Sequence, residues 1–125
     1  MPKTNLLLRL MAQVQDAAEA EKEMRLVAPQ IEGYAAIEKH VIEPYWKIPA
    51  YQEITLYLRP RDNPSMAYDS LVALAESGWT HGGSEEDRWG VWNAAAPGTV
   101  LLSPRIRWAE LQLWYSDAEG EDAAP

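Results

Sequence analysis

The chain has no cysteine and no phenylalanine, only two histidines, and few bases for its length. Without cysteine, disulfide cross-links and thiolate-held metals are excluded, so the 125 residues must stabilise themselves by burial. One domain of that size can do so. With two histidines, His40 and His81, a histidine-rich metal centre is out of reach. Lys and Arg number 11 against 19 acids, and the bases do not cluster, so a phosphate-binding surface for nucleic acid is not expected. Long apolar runs are also missing. The stretch Leu6–Met11 is broken by Arg9 and is too short for a signal peptide's apolar region or a membrane span. These absences lead to the expectation of a soluble, cytoplasmic protein.

Phosphate and nucleophile motifs are lacking too. Neither a dinucleotide fingerprint nor a P-loop occurs, and no serine lies in a G-x-S-x-G or S-x-x-K setting. Gly82 and Gly83 stand in GGSEED, whose acids would repel a phosphate. His40 has Glu43 three residues on, and His81 is followed by Glu85, Glu86 and Asp87. One histidine with one carboxylate does not hold zinc, and consecutive acids point in different directions. The expectation is no catalytic residue, no metal and no cofactor.

What the chain does have is charge of one sign and large rings. Its formal charge is −8, and half of that belongs to Asp117, Glu119, Glu121 and Asp122 in the closing DAEGEDAAP. Residues 1–116 read as one domain and 117–125 as an acidic, disordered tail. Six Trp and six Tyr are present, and five of the Trp fall between Trp79 and Tyr115. The clearest strand closes that stretch, Ile106 to Tyr115. There Ala109, Leu111 and Leu113 share one face, while Trp108, Glu110, Gln112 and Trp114 share the other. Burying both indoles would turn Leu111 and Leu113 outward unless the strand were covered on both sides.

The remaining pattern runs strand, broken helix, strand, helix, then strands to the end. Residues 4–14 alternate, with Leu6, Leu8 and Leu10 on one face. Asp16 is an apt N-cap for a helix over 17–28, which Pro29 ends or kinks. A second helical stretch is predicted over 30–42, so that Met24, Val27, Ile31, Tyr34 and Val41 form one stripe. EPYWKIPAY, 43–51, reads as a loop with rings that cap the core. Strand 51–59 follows, with Ile54, Leu56 and Leu58 inward and Glu53, Thr55, Tyr57 and Arg59 outward. Ser65 caps a helix over 66–77 with Met66, Leu71, Leu74 and Ala75 buried, and Gly78 is its stop. Short strands are predicted at 79–81, 88–93 and 100–102. Trp46, Trp79 and Trp89 are expected in or against the core, and of Val91 and Trp92 only one can face it.

The fold class expected is α+β: a two-layer sandwich with helices on one face of a largely antiparallel sheet. The preferred version is ferredoxin-like with an extended C-terminal meander. On its uncovered face, Arg9, Tyr57, Arg59, Trp108, Glu110, Gln112 and Trp114 would form one mixed patch.

With EPYWKIPAYQEITLYLRP, a helix, WTHGGSEEDRWGVWN and a closing RWAELQLW, this short acidic domain resembles the small immunity proteins of bacterial toxin systems. Those paired with contact-dependent growth-inhibition toxins are among them. The resemblance spans most of residues 4–115 and rests on aromatic spacing and layout. It implies a cytosolic protein that binds one toxin domain, often a basic nuclease, and blocks its active site or an essential surface. On that reading Glu53, Glu85, Glu86, Asp87 and Glu110 stand in for substrate phosphates, with Tyr57, Trp108 and Trp114 as anchors. Two other readings stay open: an enzyme or ligand-binding domain using His40 or His81, and a homo-oligomer pairing through the open sheet face.

Overall fold

A computed structural model describes residues 2–84, 87–95 and 98–117 of the chain. Its elements, in order, are β1 (Pro2–Ala12), α1 (Ala17–Ile31), β2 (Ala35–Pro44), β3 (Gln52–Pro60), α2 (Pro64–Val72), β4 (Trp79–Ser84), β5 (Asp87–Asn93) and β6 (Ile106–Asp117). The strands form one antiparallel sheet in the order β2-β3-β1-β6-β5-β4. Taken alone, β1, α1, β2, β3, α2 and β6 give the order β2-β3-β1-β6, the split-βαβ arrangement of ferredoxin-like folds. The hairpin β4–β5 is inserted before β6 and widens the sheet beyond it. The α+β two-layer sandwich is therefore the observed architecture.

Both helices lie on the same face. Helix α1 packs on β2 and β3, while α2 packs on β1 and β6. Residues paired directly across antiparallel strands share a face, so the register extends one apolar layer across the sheet. Ile54, Leu10 and Ala109 make one row, and Leu56, Leu8 and Leu111 the next. All six are buried, and Val27 and Ile31 of α1 and Tyr68 and Leu71 of α2 close over them.

Helix α1 starts where Asp16 accepts a hydrogen bond from the Glu19 amide through its Oδ1 at 2.9 Å. Replacing Asp16 with alanine is expected to lower stability by about 1 kcal/mol. A urea midpoint that did not move would show that the first turn is held by other means.

Several expected boundaries move. The predicted helix over 30–42 is strand β2 instead. Pro29 occupies the last turn of α1, the chain reverses through Gly33, and Ala35 enters the sheet. A bulge hides this strand from a period-two reading: pairing steps from Ile37↔Leu58 to Lys39↔Tyr57, leaving Glu38 extra. Met24, Val27 and Ile31 do face the core, whereas Tyr34 is exposed and Val41 lies on the other side of the sheet. Helix α2 is capped by Asn63, not Ser65, because Pro64 at the first helical position fixes an earlier start. It also ends sooner, at Val72, so Gly78 is not its stop. Met66 is exposed and Tyr68 is buried in the place expected of it. The stretch 100–102 makes only an isolated bridge, Leu101↔Ser103. The predicted acidic tail lies, apart from Asp117, outside the described residues.

Candidate functional site

The face away from the helices is built from four rows set by the register. The first holds Glu43, Glu53, Met11, Trp108 and Asn93. Val41, Thr55, Arg9, Glu110, Val91 and Thr80 form the second. The third contains Lys39, Tyr57, Leu7, Gln112, Trp89 and Gly82, and the fourth Asn5, Trp114, Asp87 and Ser84. Six of the eight residues singled out in the sequence thus share one surface: Glu53, Tyr57, Asp87, Trp108, Glu110 and Trp114. Glu85 and Glu86 lie outside the described residues.

Arg9 holds the centre. Its two terminal nitrogens donate to Glu110 Oε1 at 2.9 Å and to Glu53 Oε2 at 3.1 Å. All three side chains are partly buried, with exposures of 35%, 20% and 21% for Arg9, Glu53 and Glu110. The Arg9 guanidinium also lies 6.0 Å from the Trp108 ring centre. Glu53 and Glu110 are therefore engaged with Arg9 within this chain, which alters the role expected for them as free phosphate mimics. Strand alternation places Arg9 and Glu110 in one patch but does not disclose the fork that joins them to Glu53. Opposite charges at outward positions of three strands, Glu110 directly across from Arg9 and Glu53 diagonal to it, were the available signal.

Around this centre the rings stay partly open. Tyr57 is 41% and Trp89 39% exposed, and Trp108 and Trp114 are half-buried. Trp89 lies over Gly82, where any added side chain would strike its ring. Trp89 is thus on the open face, not in the core as expected, because the glycine across from it gives the indole a flat seat. Trp46 is a larger correction. It is 81% exposed in the β2–β3 loop, with Lys47 Nζ 5.1 Å from its ring centre. The loop is tied through Tyr45 and Tyr51, whose backbones bond at 3.0 Å, and both residues line the cleft that contains buried Met11.

Two clefts flank the Arg9 fork. At one end, Arg9, Met11, Tyr45, Ile48, Tyr51, Asn93, Arg107 and Trp108 line about 290 Å³. At the other, Asn5, Leu7, Glu38, Tyr57 and Trp114 are among the residues around about 310 Å³.

The histidines lie on the helix side of opposite edge strands. His40, expected on a helix, sits on β2 with its Nε2 3.3 Å from Glu21 Oε1 of α1. His81 is on β4, five strand positions away, or about 24 Å at the usual interstrand spacing. They cannot act on one substrate atom. His81 Nδ1 lies 3.1 Å from the Tyr68 hydroxyl, and its ring stacks on Trp79 with centres 5.7 Å apart. Arg88 sits 4.0 Å over the Tyr68 ring and pairs with Asp69 at 2.8 Å. Among the described residues no group of three His, Asp or Glu side chains is placed to hold a metal ion.

Burial pushes the Tyr68 phenol up from 10.0 to about 12, against the lowering effect of Arg88 and with a further raising effect from Asp69. The unfolded chain's phenol ionises first. The stability held by neutral Tyr68 is therefore intact below pH 10.0 and is lost as pH rises through about 12. Tyr68→Phe is expected to be less stable near neutrality but to show a flatter loss across that alkaline window, measured by denaturant midpoint against pH. Parallel curves for the two proteins would refute the assignment.

No helix among the described residues is long and apolar enough to cross a membrane. No protein-family model, no curated protein and no solved structure matches the chain.

Proposed function

We propose that this chain is a non-catalytic binding protein, and that it neutralises a toxin domain in the manner its resemblance to immunity proteins implies. One observation carries the reading. Tyr57, Trp89, Trp108 and Trp114 are partly exposed on a single sheet face that neither helix covers. Tyr and Trp in such a setting offer large contact area with little side-chain entropy to lose, and they recur as binding hot spots. The net charge of −8 favours a basic partner, such as a nuclease domain, through faster encounter. Since Glu53 and Glu110 already answer Arg9, and Glu38 pairs with Arg59, the exposed and unpaired acids on this face among the described residues are Glu43 and Asp87. Inhibition would follow from occlusion of the partner's active site, in the cytoplasm.

The test is genetic and then biophysical. The C-terminal domain encoded by the gene immediately upstream is expressed in a sensitive host, with and without this chain. Rescue by the wild type, and its loss in Tyr57→Ala with Trp114→Ala at unchanged melting temperature, is the expected result. A domain that is harmless, or toxic but not countered, would overturn the immunity reading. Full rescue by the doubly substituted chain would overturn the choice of face.

A further inference from the structure

The cleft at the loop end of the open face contains a cation that nothing in the described chain neutralises. Pairing between β1 and β6 steps from Met11↔Trp108 to Ala12↔Ile106, so Arg107 is the extra residue of a bulge. A bulge takes its extra residue out of the ladder and re-aims the side chain, and here Arg107 lines the cleft beside Trp108. Arg9, on the same wall, already has Glu53 and Glu110. Among the described residues the Arg107 guanidinium has neither an ion pair nor a side-chain hydrogen bond, although the residue is half-buried.

The other walls are mixed: Tyr45, Tyr51, Trp108, Ile48 and buried Met11 supply large apolar groups, and Asn93 adds a polar one. An unpaired guanidinium beside these rings matches a ligand with a planar apolar body and one carboxylate, which Arg107 can hold by two parallel hydrogen bonds. The space, about 290 Å³, sits at the small end of ligand sites and suits one or two fused rings. Glu53 and Glu110 nearby would disfavour a dianion, which counts against phosphate esters. We propose that this cleft binds a small aromatic monocarboxylate, with Arg107 as its carboxylate anchor. The proposal is independent of toxin neutralisation, since it concerns the isolated chain.

The experiment is a titration of the ¹⁵N-labelled protein with indole-3-acetate at millimolar concentrations, with indole-3-acetamide as the uncharged counterpart. The expected result is saturable movement of the Trp108 indole and Tyr51 amide signals, while the Trp114 indole at the far end stays still. The acid should bind about tenfold or more tightly than the amide, the ratio expected for a charge-assisted hydrogen bond. Arg107→Gln should bring the two to equal affinity. If the signals do not saturate, if wild-type protein binds acid and amide equally, or if the preference survives in Arg107→Gln, the proposal is wrong. If that variant fails to fold, the acid-against-amide comparison on the wild type still decides whether the cleft selects a carboxylate, and a wild type without that preference overturns the proposal.

Discussion

Trp92→Ala is expected to cost about 3–5 kcal/mol of unfolding free energy. Trp92 is 1% exposed on β5 and lies under the helix layer. Beyond filling space, it ties two irregular segments to the sheet. Its Nε1 donates to the Ser77 carbonyl at 2.8 Å, and Thr99 Oγ1 donates to the same oxygen at 2.6 Å. Gly78, with φ of +102°, runs so close that an added Cβ would stand 2.7 Å from Trp92 Nε1. Alanine at position 92 therefore leaves a cavity and also frees the turn before β4. Trp92→Phe separates the two effects. It keeps most of the ring, and the Ser77 carbonyl retains Thr99, so a loss nearer about 1–2 kcal/mol is expected. Guanidinium denaturation of both variants is the measurement. A loss under about 1 kcal/mol for alanine would mean that the core closes without this residue.

The sheet was legible in the sequence wherever strands keep strict alternation. Leu6, Leu8 and Leu10, then Ile54, Leu56 and Leu58, then Ala109, Leu111 and Leu113, repeat every second residue and face one layer of helices. Strand β2 was not legible, for two physical reasons. The bulge at Glu38 shifts the phase of Ile37 relative to Ile42, and the composition after Pro29 resembles the helix that precedes it. The first helix turn of α2 was misplaced because Asn63 and Ser65 are both good caps, and only the fixed φ of Pro64 chooses between them.

The open face was legible through one strand. Trp108, Glu110 and Trp114 could be assigned to it because the opposite face of β6 was so clearly aliphatic. Trp46 and Trp89 could not, since indole burial depends on what crosses from neighbouring strands and loops. For Trp89 that neighbour is Gly82, its partner across the β4–β5 hairpin. The Arg9 fork needed three strands in register, β3, β1 and β6, and no local pattern encodes that order. Arg107 was hidden for the same reason, because the bulge that turns it into the cleft exists only against β1.

Arg9→Met should destabilise the protein by roughly 1–3 kcal/mol, less than a fully buried pair would lose because all three side chains keep some contact with water. The loss comes mainly from what remains. With the cation gone, Glu53 and Glu110 are left on diagonal positions either side of β1, partly dehydrated and without the donors that held them at 3.1 Å and 2.9 Å. Replacing those two acids by glutamine in the Arg9→Met background should recover much of the stability, because neutral amides tolerate the same half-buried positions. Comparing the single, double and triple variants by urea denaturation gives the coupling energy directly. If Arg9→Met alone is as stable as the wild type, the fork contributes nothing to the fold. Its presence would then have to be explained by what docks there. If it is destabilised and the glutamines restore it, Glu53 and Glu110 serve first as counter-charges to Arg9. A basic partner must then displace Arg9 before it can use either carboxylate.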